Sequence, residues 1–208
     1  MNAPRPLANR VDPFGALVAT QARGTLYGNC GGRFHSQTQS VRGRPWAGRQ
    51  WICCVLDFKG RRHDVWGRGF TDLFFLDEVT ALAAGHRPCF ECRRADAKAF
   101  QAAWADKRVS APDMDRVLHA QRLDGRAKRM HRMNAGALPD GAVVARNGVA
   151  LALREGRALA WSFAGYSDAG PRPQGEVDVL TPPAILHALK RGYAPGWHES
   201  ASGARTSA

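Results

Sequence analysis

The placement of five cysteines constrains this chain more than any other feature. Cys89-Phe90-Glu91-Cys92 sets two thiols one tight turn apart behind Pro88, and Cys53-Cys54 sets two more side by side. A two-residue gap lets both thiolates reach one metal ion, which then ties the segment to whatever supplies the other ligands. With Cys30 the count is odd and one pair is adjacent, a poor disulfide framework and a better thiol or metal inventory. A redox dithiol would open a helix after a central strand of a βαβ unit, and the flanking residues do not read as one. Zinc is therefore the expected cofactor.

Charge is the second constraint. Thirty Lys and Arg against eighteen Asp and Glu leave a net charge of +12, and twenty-five of the thirty cations are Arg. The planar guanidinium matches phosphate oxygens and stacks on bases, so an Arg-heavy excess favours a polyanionic partner, nucleic acid above all. It carries no base preference by itself. The longest apolar runs, Leu73 to Leu76 and Val149 to Leu153, fall far short of the roughly 20 residues a bilayer requires. Met1 to Arg10 has Pro4 and Pro6 and no apolar stretch of a secretory signal, so a cytoplasmic location is expected.

Along the chain, the first twenty residues read as an irregular lead-in and Arg23 to Gly48 as a glycine-rich loop or loosely hairpinned region. Trp51 to Phe58 reads as a strand, turned by Lys59-Gly60-Arg61 into a second around His63 to Trp66, with a third at Thr71 to Leu76. Asp77 is placed to cap a short helix over Glu78 to Ala84, ended by Gly85. Helical spacing continues over Arg93 to Arg108, and again from Pro112 towards Met133 with a break at Gly125. Ala142 to Arg146, Val149 to Arg154 and Ala158 to Phe163 form a β-meander with turns at Asn147-Gly148 and Glu155-Gly156. A strand at Val177 to Leu180 and a helix over Pro182 to Arg191 follow. The expected fold is α+β: a zinc-bound β-hairpin and helix module over 1–108, a basic helical connector over 109–135, a small β-rich module over 136–200 and a disordered tail over 201–208.

The stretch from Asp77 to Cys92, DEVTALAAGHRPCFEC, resembles the metal-binding domain of the Ada type. That domain occurs in the bacterial protein that repairs methylphosphotriesters in DNA and in related modules attached to nucleases. Its pattern is a strand, a short helix ending EAxAAGxRPCxxC and a following helix, matched here over roughly 71–94, about a tenth of the chain. The resemblance implies DNA as the target and two further metal ligands from an upstream hairpin. The upstream Cys-x3-Cys of the repair protein is absent. Gly31 to His35 looks like the GxYH start of the nuclease-attached variants, with Gln39 where a cysteine would be expected. The methyl-accepting cysteine belongs to the missing pair, so the repair chemistry does not carry over, although a zinc thiolate such as Cys54 would remain nucleophilic.

Strand alternation separates the adjacent cysteines. Cys54 shares a face with Ile52, Leu56 and Phe58, and Cys53 with Trp51, Val55 and Asp57, so one ion cannot take both. The expected ligand set is Cys89, Cys92, Cys54 and His35, with Cys30, Cys53, His63 and His86 as rivals. A second constellation, Arg116, His119, Arg122, Lys128, Arg129 and His131, lies on the expected basic helices. His119 with Arg122, and Lys128 with His131, would share faces. Such a strip suits phosphate contact; two histidines could also cut a phosphodiester by acid–base action, but no acidic pair for two-metal chemistry stands out. Gly28 to Gly32 lacks the spacing of a nucleotide loop. Trp161, Phe163, Tyr166, Tyr193 and Trp197 could stack on bases, though a small β unit poor in other large apolar residues needs them for its core. The leading expectation is a zinc protein that binds DNA, with a place in repair or DNA metabolism. The alternatives are a nuclease or alkyl-group acceptor, or an interaction module with structural zinc.

Overall fold

The helix after Asp77 is apolar on every side except its first residue, and a helix without a solvent face has to be enclosed. In the computed structural model, which describes residues 6–41, 43–61 and 64–203, all six residues of α1 (Glu78–Ala83) are buried. Each side of α1 meets a different layer. Val79 and Ala83, four apart, pack with Val143, Ala152, Leu159 and Leu180. Ala81 and Ala84, three apart, pack with Cys30, Trp51, Cys53 and Phe75. Leu82 packs among Phe100, Met114, Leu118 and Ile185. The fold is mixed α+β, with two six-stranded sheets and few helices.

The first sheet contains β1 (Ala8–Val11), β2 (Leu17–Ala19), β3 (Leu26–Cys30), β4 (Trp51–Val55), β5 (Leu73–Phe75) and β6 (Arg87–Pro88), in the order β2-β1-β5-β3-β4-β6. Helices α2 (Arg94–Trp104) and α3 (Ala111–Arg122) follow, then a hairpin of β7 (Leu123–Asp124) and β8 (Ala127–Lys128). The second sheet is antiparallel throughout. It contains β9 (His131–Asn134), β10 (Val143–Arg146), β11 (Val149–Arg154), β12 (Arg157–Ser162), β13 (Gly165–Pro171) and β14 (Glu176–Val179), in the order β13-β12-β11-β10-β14-β9. Its second face is covered too: Val144, Leu151 and Leu153 pack with Leu186 of α4 (Pro183–Lys190). Burial on both faces explains why β11 reads as an unbroken apolar run rather than an alternation.

The polar ends of α1 are tied down from distant parts of the chain. Asp77 caps the helix, accepting from the Thr80 backbone N–H at 2.9 Å and the Thr80 hydroxyl at 2.7 Å. It also accepts from the Tyr166 hydroxyl and the His198 backbone N–H. Glu78 accepts from Tyr193 Oη, Arg93 Nη2 and the Gly196 backbone N–H. At the other end Gly85 adopts φ +93°, and a Cβ there would sit 2.7 Å from the Arg122 side chain, so only glycine closes this turn. Arg87 forms a buried two-pronged pair with Asp115, both contacts 2.8 Å.

Several expected elements differ. The helix predicted to run from Pro112 towards Met133 stops at Arg122, and Asp124-Gly125 turns the chain into the β7–β8 hairpin with Gly125 at φ +59°. Lys128 and His131 therefore lie on strands. The lead-in forms β1 and β2, the glycine-rich segment contains β3, and Gly165 to Pro171 adds a strand. Asp64 to Trp66 is a turn with Trp66 at φ +57°, and His63 lies outside the described residues. Ser200–Gly203 forms a short helix, α5, with Ala201 buried against the second sheet, where the expected disordered tail begins; the rest of that tail, 204–208, lies outside the described residues. Tyr166 and Tyr193 are buried, and Trp161 and Trp197 pack partly buried against the same core, so these four aromatics serve packing.

The Arg87–Asp115 pair ties β6 to α3 and supplies a stability test. Asp115→Ala strands a buried guanidinium and should lower unfolding free energy by about 3–5 kcal/mol in urea titrations. The double variant Arg87→Met/Asp115→Leu should recover most of that loss.

Candidate metal centre

β4 and β6 run parallel, with Ile52 opposite Arg87 and Cys53 opposite Pro88. The Cys89 backbone N–H donates to the Cys53 carbonyl at 3.0 Å and extends the pairing by one residue. The chain then turns, with the Arg93 N–H reaching back to the Cys89 carbonyl before α2 begins. This places the Cys89–Cys92 turn against the outer face of β4, where Cys54 points. The sulfur atoms of Cys54, Cys89 and Cys92 all lie within 4.8 Å of one another. Three soft sulfur donors at this separation can hold a metal ion.

Local hydrogen bonds favour charge at this point. The Glu91 backbone N–H donates to Cys89 Sγ at 3.4 Å. The Cys54 thiol, and the Cys92 and Glu91 amides after it, hold the Cys89 thiol down to about 5 despite partial burial. Cys54 is pushed up by that same hydrogen bond to Cys89 and by its burial. Desolvation pushes Cys92 up as well. One thiolate shared among three sulfurs is the arrangement a cation would stabilise.

Beside the cluster lies a cleft of about 510 Å³, walled by Ile52, Phe58, Phe70, Phe90, Arg61 and Gln50. Leu56 and Phe70 on its rim are 54% and 58% exposed. Arg61 and Glu91 form an exposed ion pair across it at 2.6 Å. Among the described residues no fourth His, Cys, Asp or Glu joins the three sulfurs.

His35 does not join the cluster. Its ring nitrogens contact Thr71 Oγ1 at 2.8 Å and the Gly67 carbonyl at 3.0 Å, and the ring stacks on Trp66. Both nitrogens are spent holding its loop to the 66–71 segment. Of the rivals, Cys30, Cys53 and His86 lie on the other face of the sheet. Cys30 is opposite Trp51 and shares the face of Cys53. His86 Nε2 sits 3.4 Å from Cys30 Sγ, between the Trp51 and Phe75 rings, and burial drives its pKa well down. Cys53 Sγ accepts from Arg93 Nη1 at 3.2 Å.

The six cationic candidates do not form one strip. Arg116 is exposed and pairs with Asp113. Half-buried His119 contacts Arg122 Nη2 through Nδ1 at 3.1 Å. Arg122 is fully buried, donating to the carbonyls of Gly85 and Arg49 and lying 3.8 Å over the Trp51 ring. The Lys128 ammonium is enclosed and donates to the Ala83 carbonyl. Exposed Arg129 donates to the Leu123 carbonyl, and His131 Nε2 contacts the Gln121 carbonyl at 2.8 Å. Arg122 and Lys128 thus lie off the outer surface along which a nucleic-acid backbone could run. Their charges serve the last turn of α1, whose exposed carbonyls attract cations. Sequence spacing does not reveal Arg49, which is exposed beside Arg116 around a shallow depression sharing Gln50 and Ala111 with the cleft.

No protein family, curated protein or solved structure compared with this chain matches it.

The two adjacent cysteines separate cleanly by experiment. Cys54→Ser should remove bound metal, measured by plasma emission on purified protein. Cys53→Ser, on the core face, should retain at least most of it. Equal metal content in the two variants would exclude the cluster as a centre.

Proposed function

We propose that this chain is a cytoplasmic zinc protein that binds DNA, with Cys54, Cys89 and Cys92 holding the ion and its fourth position facing the cleft. The observation that carries the metal reading is the mutual approach of the three sulfurs within 4.8 Å. Tetrahedral zinc with Zn–S bonds near 2.3 Å needs sulfurs about 3.8 Å apart, which small side-chain adjustments reach. The resemblance of residues 71–94 to the Ada-type domain supports the same ion and the same target. Five free cysteines suit a reducing compartment.

Three features support DNA. The net charge is +12 and the cations are mostly Arg. Arg49 and Arg116 border a depression continuous with the metal cleft through Gln50 and Ala111. Arg61 stands on the cleft wall. A backbone crossing this surface would meet guanidinium groups on both sides of the ion, and phosphate contacts would hold it in place. The open position and the lowered Cys89 thiol favour one second reading, an alkyl-group acceptor in which a zinc thiolate attacks a methylated phosphate. In that case the sulfur–carbon bond forms as the phosphate oxygen leaves with its electron pair.

Purified protein should contain about one zinc per chain. It should bind duplex DNA with an affinity that falls steeply with salt, and Arg49→Gln and Arg116→Gln should each flatten the log–log slope by roughly one unit. Absence of binding at about 50 mM salt would exclude the DNA reading. Mass gain of a single methyl group after exposure to methylated DNA would establish the second.

A further inference from the structure

On the side of β4 opposite Cys54 lies a second and larger cavity of about 780 Å³, within the usual range of about 300–1,000 Å³ for small-molecule sites. Its walls are aromatic: Trp46, Trp51 and Trp66, all buried, with Phe14 at the edge. Its polar lining holds Thr38, Gln39 and Ser40 and three cations. Arg122 and Lys128 both reach it, with Arg126 exposed on the rim. Among the described residues neither Arg122 nor Lys128 has a carboxylate in ion-pair contact. Arg122 Nε is buried with no hydrogen-bond partner at all.

Two enclosed cations with no carboxylate in contact are costly, since burial removes their hydration and Asp115 and Asp12 act on Arg122 and Lys128 only from a distance. Backbone carbonyls of Ala83, Gly85 and Arg49 satisfy some of their hydrogens but supply no net negative charge. Burial pushes Arg122 down to about 9 and Lys128 down to about 7, the latter helped by repulsion from Arg122. Asp12 favours the Lys128 charge from a distance, but its own carboxylate caps the Ala16 backbone N–H at 2.8 Å. An anion entering the cavity would supply what both cations lack, and the indole walls would take a flat ring.

We propose that this cavity binds a small molecule with a planar aromatic ring and one anionic group, the ring among Trp46, Trp51 and Trp66 and the anion beside Lys128 and Arg122. The site is separate from the cysteine cluster and does not depend on the metal reading. Because the anion favours charged Lys128, binding takes up a proton. Affinity should therefore fall as pH rises from about 6 to 8.5, with Arg122, Arg126, His86 and Asp12 as the other charged or titratable groups around that ammonium.

The test uses tryptophan fluorescence and calorimetry on the full chain with four probes: adenosine monophosphate, 2-naphthoate, adenosine and inorganic phosphate. At least one of the two ring-bearing anions should quench fluorescence and bind about tenfold or more tightly than either adenosine or phosphate. Which of them binds identifies the anion as phosphate or carboxylate. Lys128→Met should weaken that binding about tenfold and abolish its pH dependence, while melting at or above the temperature of the unaltered protein because a buried charge is gone. Arg126→Gln, exposed and tolerant of change, should weaken the anions about two- to threefold and leave adenosine unaffected. Silence of all four probes at about 1 mM, or unchanged affinity in both variants, would overturn the proposal.

Discussion

Everything in this molecule is arranged around the enclosure of a six-residue helix that begins with two carboxylates. Asp77 and Glu78 are each 2% exposed, and a carboxylate at that depth is tolerable only with several donors. The donors come from elsewhere in the chain: Tyr166, Tyr193, Gly196 and His198 from the C-terminal half, and Arg93, the residue before α2. Burial raises the Asp77 pKa even so. The apolar sides of α1 then join three clusters drawn from both sheets and the helices, so the expected modules share one interior.

β4 is the partition on which both candidate sites depend. Its alternation sends Trp51 and Cys53 inward against α1 and sends Ile52 and Cys54 outward to the cleft. The parallel pairing with β6 delivers Cys89 next to Cys54, and Arg93, one residue past Cys92, reaches the core-face sulfur of Cys53. One short strand thus presents the Cys54 thiol to the cleft on one side and the Trp51 indole to a cation-lined cavity on the other.

Much of the local structure was legible in the sequence. Asp77, Gly85, Asn147-Gly148 and Glu155-Gly156 work through short-range geometry, so cap and turn chemistry identifies them directly. The separation of Cys53 from Cys54 was legible for the same reason, since alternation is a property of any strand. The burial logic attached to it was not. Alternation does not say which face is enclosed: Leu56, on the more apolar face, is 54% exposed, whereas Cys53 is fully buried. The adjacent Asp124-Gly125 was a legible hairpin signal that helical periodicity masked.

By itself the sequence determined the α+β character, the helix cap at Asp77, the meander of the second sheet and the paired thiols at Cys89 and Cys92. These follow from interactions spanning at most a few residues. The tertiary structure decided which third cysteine meets that pair, that His35 spends both ring nitrogens on Thr71 and Gly67, and that Arg122 and Lys128 point inward rather than to solvent. Those outcomes turn on which surfaces α1 brings together. A residue's charge and spacing do not encode whether the carbonyls it will satisfy lie beside it or some 40 positions away, as Ala83 and Gly85 do from Lys128 and Arg122.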